Sequence, residues 1–438
     1  MRGDAMSTML AEADVAVIGS GVCGATAAYE LTRRGARVVV HDKEAEPGPE
    51  ASARSFASLR VQGRHPAEIP LMQEAMALWR EAARTLGEEF EFVQSGNVYL
   101  AQEEAEVHEL EGHLATAHRH GLPEVRLLSG EEIRARIPAL AGPIAKALWS
   151  PYDGQCDPQK GVGAYLGAAL RQGARFLPST VATGFAAAGG RLRGVVTDRG
   201  EIRADAAVVC AGAWTRRLLR TCAPALPIKI LNYSVGATSP LPRLIELTVR
   251  AFHFGCRQAR NGEVWFSAGL NTRMDHELCL DDLAELRLWG PRLWRNRARV
   301  RLRLGSGNPW RELRNLARPV SPGDFPVAHE VAPDRPLLEQ AFGHLSRMVP
   351  AVAAGGIARV WGCMIDLSPD GLPIVGLLDA PRGVTVIAGL SGHGYALAPV
   401  LGRIAADLAL DGYTAYPIAP FRPSRFREGS VEMPYRLI

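Results

Sequence analysis

The chain has 438 residues, of which 47% are hydrophobic and 22% charged. That hydrophobic share buries a core large enough for two domains and excludes a disordered chain. Basic side chains number 50 against 46 acidic ones, and the net charge of +4 gives no support for wholesale nucleic-acid binding. All the basic residues are arginine except Lys43, Lys146, Lys160 and Lys229, a bias that a GC-rich coding sequence accounts for. No apolar run reaches the roughly 18 residues that cross a bilayer. The opening MRGDAMSTMLAEAD lacks an apolar core of signal-peptide length, so a cytoplasmic location is expected. Seven cysteines are scattered without a C-x-x-C pair, so neither a disulfide framework nor a zinc or iron–sulfur site is expected.

In chain order, the first element is a short buried strand at residues 14–18, DVAVI. It runs into Gly19-Ser20-Gly21-Val22-Cys23-Gly24, then a helical stretch, ATAAYELTRRG, and a second apolar strand, ARVVVHD, ending at Asp42. In such a unit Gly19 permits the tight turn, Gly21 lets the backbone approach a pyrophosphate, and Gly24 lets helix and strand pack closely. The helix N-terminus, at Val22 and Cys23, offers free amides and partial positive charge to phosphates. Asp42, 18 residues beyond Gly24, stands where a carboxylate accepts ribose hydroxyls. Strand, helix, strand and terminal acid together predict a Rossmann-type dinucleotide site.

Further along, FEFVQSGNVYLAQ (90–102) reads as strand–turn–strand, and a short strand is expected at Arg175–Val181. Residues 197–212 read as a strand and turn followed by the buried strand AAVVC, which leads to Ala211-Gly212-Ala213-Trp214. A small-residue turn after a parallel strand suits close approach to a cofactor. LNYSVGATSP, AFHFGCRQ and EVWFSAGL read as antiparallel strands, the last two joined by a hairpin at Asn261-Gly262. DDLAELRLWGPRLWRNRARVRLRL (281–304) reads as two helical pieces broken at Gly290-Pro291. A strand at 383–388 is followed by Gly389, Ser391-Gly392-His393-Gly394-Tyr395 and a helix, which makes a second helix N-terminus at a glycine turn. A nicotinamide enzyme does not require that second turn. A flavin enzyme benefits from it, because helix-terminal amides stabilise the charge that two-electron reduction puts on the ring.

The N-terminal fingerprint, VVCAGAW and the closing GLSGHGYALAP resemble FAD-dependent amine and amino-acid oxidoreductases of the D-amino-acid oxidase superfamily. Residues 54–101 look like the β-subunit type of sarcosine oxidase, related to flavoproteins that oxidise glycine, D-hydroxyproline or opines. DGQCDPQKGVGAYLGAAL (153–170) and PFRPSRF (420–426) fit the same pattern, whereas residues 240–320 match poorly. The resemblance implies an α/β fold: a Rossmann-type FAD-binding domain beside a largely antiparallel α+β substrate domain. It implies non-covalent FAD held by Gly19, Gly21, Val22, Cys23, Gly24, Asp42, Lys43, Ser52, Arg54, Ser55, Val181, Ala211, Gly212 and Trp214. Gly389, Gly392, His393, Gly394 and Tyr395 would lie near the flavin ring. The FAD domain is expected to be discontinuous, at 10–90, 150–225 and 355–415. The substrate domain would comprise 91–149 and 226–354, with a tail at 416–438.

For catalysis, oxidation of an amine needs a neutral nitrogen, a C–H aimed at flavin N5 and a cation for a substrate carboxylate. The imine product then hydrolyses. Arg60 and Arg64 are the candidate cations, because arginine grips carboxylates in a planar fork; the resemblance favours Arg60. Arg359, just before Trp361-Gly362-Cys363-Met364, is expected on a loop nearing the active site. His393 is a candidate for hydrogen-bonding the flavin or tuning the amine's protonation, and Tyr395 for bounding the pocket. Asp366 and Asp370 are expected to cap a turn, and the spacing of Cys363 does not mark it as a covalent flavin anchor.

Three readings stay open on these residues. The first is an FAD-dependent amine or amino-acid oxidase or dehydrogenase, as a homo-oligomer or with a partner subunit. The inventory of only four lysines leans toward a dehydrogenase that passes electrons to a partner or quinone. The second is a tRNA-modifying relative that grips RNA with Arg287, Arg292, Arg295, Arg297, Arg299, Arg301 and Arg303 between Trp289 and Trp294. The same segment could instead rest on a partner or peripherally on the inner membrane. The third is a non-catalytic flavin subunit of a complex.

Overall fold

The computed structural model describes residues 8–87, 90–220, 222, 226–269, 274–278, 280–297, 300–304 and 318–431. From the N-terminal side the chain forms β1 (Val15–Ile18), α1 (Val22–Arg33), β2 (Val38–His41) and α2 (Ile69–Thr85). Then come β3 (Asn97–Ala101), β4 (Arg126–Leu128), β5 (Lys146–Ser150), β6 (Arg175–Leu177) and β7 (Ala206–Val209). The strands β8 (Lys229–Ala237), β9 (Thr248–Ala251), β10 (Phe254–Gln258) and β11 (Val264–Ala268) precede α3 (Leu280–Arg295). The series closes with β12 (Arg359–Leu367), β13 (Ile374–Leu377), β14 (Val384–Ala388) and α4 (Gly394–Leu410).

Two sheets carry the architecture. One has six strands in the order β13-β14-β7-β1-β2-β6, parallel except for the β13–β14 edge. Its inner strands are short, rich in valine and buried at every position, as a parallel sheet covered on both faces requires. The other has eight strands in the order β12-β8-β11-β10-β9-β3-β5-β4, antiparallel except where β9 pairs with β3. This is the α/β Rossmann-type fold with a largely antiparallel second sheet that the resemblance implied. A four-stranded sheet of residues 9–12, 182–188, 191–197 and 200–203 flanks the first.

Two contacts set α4 where the site needs it. Thr26 of α1 donates its hydroxyl to the Ala398 carbonyl at 2.8 Å, so the two glycine-led helices lie against each other. The fully buried Trp79 of α2 donates Nε1–H to the Ala396 carbonyl at 3.0 Å and stacks on Tyr395, with ring centroids 5.8 Å apart.

Four local expectations differ from the structure. The strand expected over Arg175–Val181 stops at Leu177, because Pro178 has no N–H to continue the ladder and Ser179 turns with φ +47°. In FEFVQSGNVYLAQ only the second strand forms. Val93 makes a single bridge to Gln155, while Phe90 packs on Trp79. AFHFGCRQ contributes to two strands, the end of β9 and all of β10, which pair with each other across the bend at Phe252-His253. The Gly290-Pro291 break does not occur: α3 continues through it, and residues 300–304 form a strand parallel to 274–278. Side chains on both sides of the proline anchor the helix, Trp289 through Nε1–H to Glu285 at 3.1 Å and Arg292 to the Ser368 carbonyl.

Candidate active site

The first glycine turn leaves no room for side chains. Gly19 has φ +99°, and a Cβ there would run into the Cys210 carbonyl; a Cβ on Gly24 would run into the carbonyl of Gly19. Gly21 caps α1 with no side-chain partner and no acid in the first turn, and Val22 N–H donates to Ser52 Oγ at 3.0 Å. The next amides, of Cys23 and Gly24, belong to the first helical turn, which has no partners of its own. Asp42, at the end of β2, accepts from Ser20 N–H at 2.6 Å, from the Ser20 hydroxyl at 2.7 Å and from Glu44 N–H at 2.9 Å.

Asp42, Lys43, Val181, Ala211, Gly212 and Trp214 border a cavity of about 120 Å³ that also reaches Gly19 and Gly21. Lys43 is held by Glu44 at 2.5 Å and Glu50 at 2.8 Å, and it lies over the Trp214 ring. Both main-chain groups of Val181 face Asp198: the N–H donates to Oδ1 at 2.8 Å and the carbonyl accepts from Asp198 N–H at 3.0 Å. Val181 therefore has no free N–H to offer that cavity.

A second cavity, about 250 Å³, shares Gly21, Ser52, Cys210, Gly212 and Met364 with the first, so the two form one cleft. Val22, Cys23 and Ser55 border it from the α1 side, and Gly392, Gly394 and Tyr395 border it from the α4 side. The two helix N-termini thus open on one space, although 19–24 and 389–395 lie at opposite ends of the chain. Gly389 stands behind the wall, its N–H given to Asp366 Oδ2 at 2.6 Å. Arg54 is also behind it. Its guanidinium reaches the carbonyls of His329 and Gly362, and its own carbonyl accepts from Trp361 Nε1–H.

The substrate end of the cleft is strongly charged. Arg60 and Arg64 are buried and border the cavity, and Arg250 of β9 joins them from the antiparallel sheet. Burial, with the neighbouring guanidinium groups, lowers Arg60 and brings Arg64 down to about 10. Two buried acids stand beside them. Asp153 accepts Val61 N–H at 2.7 Å, and burial holds its carboxyl up at about 6. Glu68, fully buried, accepts from Nδ1 of His393 at 2.8 Å. Burial and Arg64 hold His393 down at about 4, so it is neutral beside an ionised Glu68, with Nδ1–H as donor and the Nε2 lone pair free of the proton.

The other named residues fall as follows. Tyr395 borders the cavity with its ring, while its hydroxyl donates to the Pro158 carbonyl at 2.7 Å. Cys363 and Asp366 of β12 border it too; burial pushes the Cys363 thiol up to about 12 and the Asp366 carboxyl to about 6. Asp370 faces away, into a buried ion pair with Arg425. Arg359 is not on the cavity wall. It begins β12 half-exposed, bonded through two nitrogens to Glu263 at 3.1 and 2.6 Å and stacked between Trp265 and Trp361. Its expected position on a loop fails because β8 pairs with β12 along the whole length of both strands. Lys229 is buried near Glu285, off the cleft wall.

On α3, Trp289 and Arg292 point inward, and the exposed side chains include Arg287, Trp294, Arg295 and Arg297. Arg299 and the side chains of Arg301 and Arg303 lie outside the described residues. The residues that sequence reasoning missed are Arg250, Glu68 and Asp153. Only Asp153, next to a glycine and upstream of the Asp157-Pro158 helix start, sits in a recognisable turn.

These features test whether a flavin dinucleotide fits. Gly19 and Gly24 accept no Cβ, α1 carries no acid in its first turn, and a second helix N-terminus faces the same cleft where a reduced ring would carry charge. The residues fit the group, and fold and site define a dinucleotide-binding flavoenzyme. The profile of the DAO family, FAD dependent oxidoreductase, matches residues 14–408, and the chain belongs to that family. Its cofactor is accordingly FAD. Monomeric sarcosine oxidase of Streptomyces avermitilis is 29% identical over 416 residues, covering 94% of this chain and 97% of that protein. N-methyl-L-tryptophan oxidase of Escherichia coli K12 is 27% identical over 418 residues, covering 94% and 99%. Among solved structures, L-amino acid deaminase from Proteus vulgaris superposes with a TM-score of 0.85 at 22% identity, covering 97% and 100% of the two chains. L-proline dehydrogenase from P. horikoshii gives 0.78 at 24%, covering 96% and 100%. Among the described residues no helix is long and apolar enough to cross a membrane, and no cluster of three or more metal-ligating side chains occurs.

Proposed function

We propose that this flavoenzyme oxidises the C–N bond of an amino acid or N-substituted amino acid. The observation that carries the reading is the placement of Arg60, Arg64 and Arg250 on the wall of the cavity onto which the N-termini of α1 and α4 open. Guanidinium groups there bind a substrate carboxylate and so orient the adjacent C–N bond. When bound, the flavin accepts the two electrons released from that bond. The relatives named for sarcosine and N-methyl-L-tryptophan support the same substrate type.

The chain's own residues supply the rest. The nitrogen must be neutral before its C–H bond breaks, and the guanidinium groups on the cavity wall favour that form by repelling an ammonium beside them. His393, held neutral by burial and Arg64, gives its Nδ1–H to Glu68 and so ties the start of α4 to the segment that carries Arg60 and Arg64. Apolar side chains such as Leu231, Leu337 and Ile365 limit water at the reacting carbon, and the imine product hydrolyses on release.

The test is anaerobic bleaching of the yellow holoenzyme by a panel of glycine, sarcosine, N-methyl, proline-type and D-amino acids. At least one should reduce the flavin, and the Arg64→Ala variant should need far more of it. If every member leaves the spectrum unchanged, the reading fails. Oxygen admitted after bleaching separates an oxidase from a dehydrogenase.

A further inference from the structure

Arg60, Arg64 and Arg250 all border one cavity, and among the described residues none of their guanidinium groups makes an ion pair. Arg60 and Arg64 are only 7% and 3% exposed, and Arg64 Nη1 is buried without a hydrogen-bond partner. The Nε–H of Arg64 goes to the Arg60 carbonyl at 3.3 Å, which joins these two on one loop. Arg250 approaches from a different element, β9. A buried guanidinium group without an ion pair carries a desolvation cost that a bound anion offsets.

We propose that the substrate carries two acidic groups, one held by Arg60 and Arg64 and the other by Arg250. The proposal rests on the amino-acid reading above and narrows it to amino-dicarboxylates.

Charge supports the assignment. Three guanidinium groups border the cavity, while Asp153 and Glu68, the acids that act on Arg60 and Arg64, are not on its wall. Asp366, the one acid among the described residues that border the cavity, is turned to the Gly389 amide. Each carboxylate of an amino-dicarboxylate therefore has a guanidinium group to meet on the wall. An ordinary amino acid, with one carboxylate, leaves Arg250 without a partner. Shape agrees, because Leu231 and Tyr233 of β8 and Ala268 of β11 also border the cavity and offer an apolar wall to a short methylene spacer.

The experiment titrates the oxidised holoenzyme with succinate, glutarate and butyrate, which cannot react, and follows the visible flavin spectrum. One of the diacids should bind at least about tenfold tighter than butyrate. Arg250→Leu should weaken the diacid at least about tenfold more than it weakens butyrate, so that the ratio is lost, and Arg250→Lys, which keeps the charge, should retain part of it. Equal affinities for diacids and butyrate overturn the proposal, as does equal weakening of both by Arg250→Leu. Anaerobic reduction by N-methylglutamate and by N-methylglutamine is run in parallel, and the acid should be the faster. If no amine reduces the flavin yet the diacid ratio holds and follows Arg250, the amino-acid reading fails and the double-anion site stands. If sarcosine reduces the flavin but the diacid ratio is absent, the reading stands and the second acidic group is refuted.

Discussion

Replacing Arg425 with alanine tests how the α4 side of the cleft is held. Arg425 is 1% exposed and grips the buried Asp370 through two bonds, Nε to Oδ2 at 2.8 Å and Nη2 to Oδ1 at 3.0 Å. Its other N–H groups reach the carbonyls of Phe421 at 2.7 Å and Leu372 at 3.0 Å. The variant leaves a buried carboxylate with only the Leu372 N–H, at 3.2 Å. Removing one member of such a pair costs about 3–5 kcal/mol. With an unfolding entropy of about 2.1 cal/mol/K per residue, a 438-residue chain melting as one unit loses roughly 3–5 °C. The loop that Arg425 clamps lies against the flavin-side turn. Ser368 N–H and Oγ both sit 3.3 Å from Ser391 Oγ, and Ser391 N–H donates to the Asp366 carbonyl at 2.7 Å. Looser packing there should speed FAD loss. Thermal melts followed by circular dichroism, together with flavin fluorescence released on heating, measure both effects. A double variant, Asp370→Leu with Arg425→Met, restores an apolar fit and should recover most of the stability. Melting of Arg425→Ala within about 1 °C of the wild type, with flavin retention unchanged, would refute the argument.

Gly24→Ala puts a methyl group into the Gly19 carbonyl, and overpacking of about 1–3 kcal/mol should weaken FAD binding roughly tenfold to hundredfold; the ratio of flavin to protein absorbance after dialysis checks it. Asp153 predicts a pH dependence. Its folded pKa, raised by burial to about 6, means that the folded state binds more protons than the unfolded one between about pH 4 and 6, so its contribution to stability is lost as pH rises through that window. Asp153→Asn should therefore gain on the wild type from pH 4 to 7, by up to about 3 kcal/mol, and a constant difference in Tm across those pH values would contradict it. The contrast between two arginines tests their placement. Arg359→Ala, which loses an exposed ion pair, should cost under about 1 kcal/mol and change flavin reduction less than about twofold. Arg64→Ala should raise half-saturation by about 2–5 kcal/mol of lost binding, and equal effects of the two would contradict the site.

The nucleotide half of the cleft was legible because the chain writes it locally. Gly19, Gly21 and Gly24 sit within six residues of one another; neighbouring backbone crowds the first and third, and the Ser52 hydroxyl approaches the second. The buried valine runs of β1, β2 and β7 likewise announce a parallel sheet whatever surrounds them. Val181 and Pro291 show where local reading stops. A proline predicts a lost hydrogen bond, but whether the helix breaks depends on Trp289 and Arg292 finding Glu285 and Ser368 across the fold.

The substrate half depends on such distant meetings. Arg60 could be named because it lies in the segment that joins the nucleotide fold to the rest. Arg250 sits in TVRAF, where alternation fits any strand, and acquires a role only when β9 pairs with β3 and brings it to the Arg60–Arg64 loop. Glu68 reads as an ordinary acid at a helix start until α4 delivers His393 to it, 325 residues later in the chain. Arg359 illustrates the reverse. Its neighbours in sequence suggested the active site, but one residue's register along β8–β12 decides that it meets Glu263 at the far end of the strand while Cys363, Met364 and Asp366 reach the cavity. A cation is therefore assigned to the chemistry only by which charges are left for it to meet, and in this cleft the unmet charges are those of Arg60, Arg64 and Arg250.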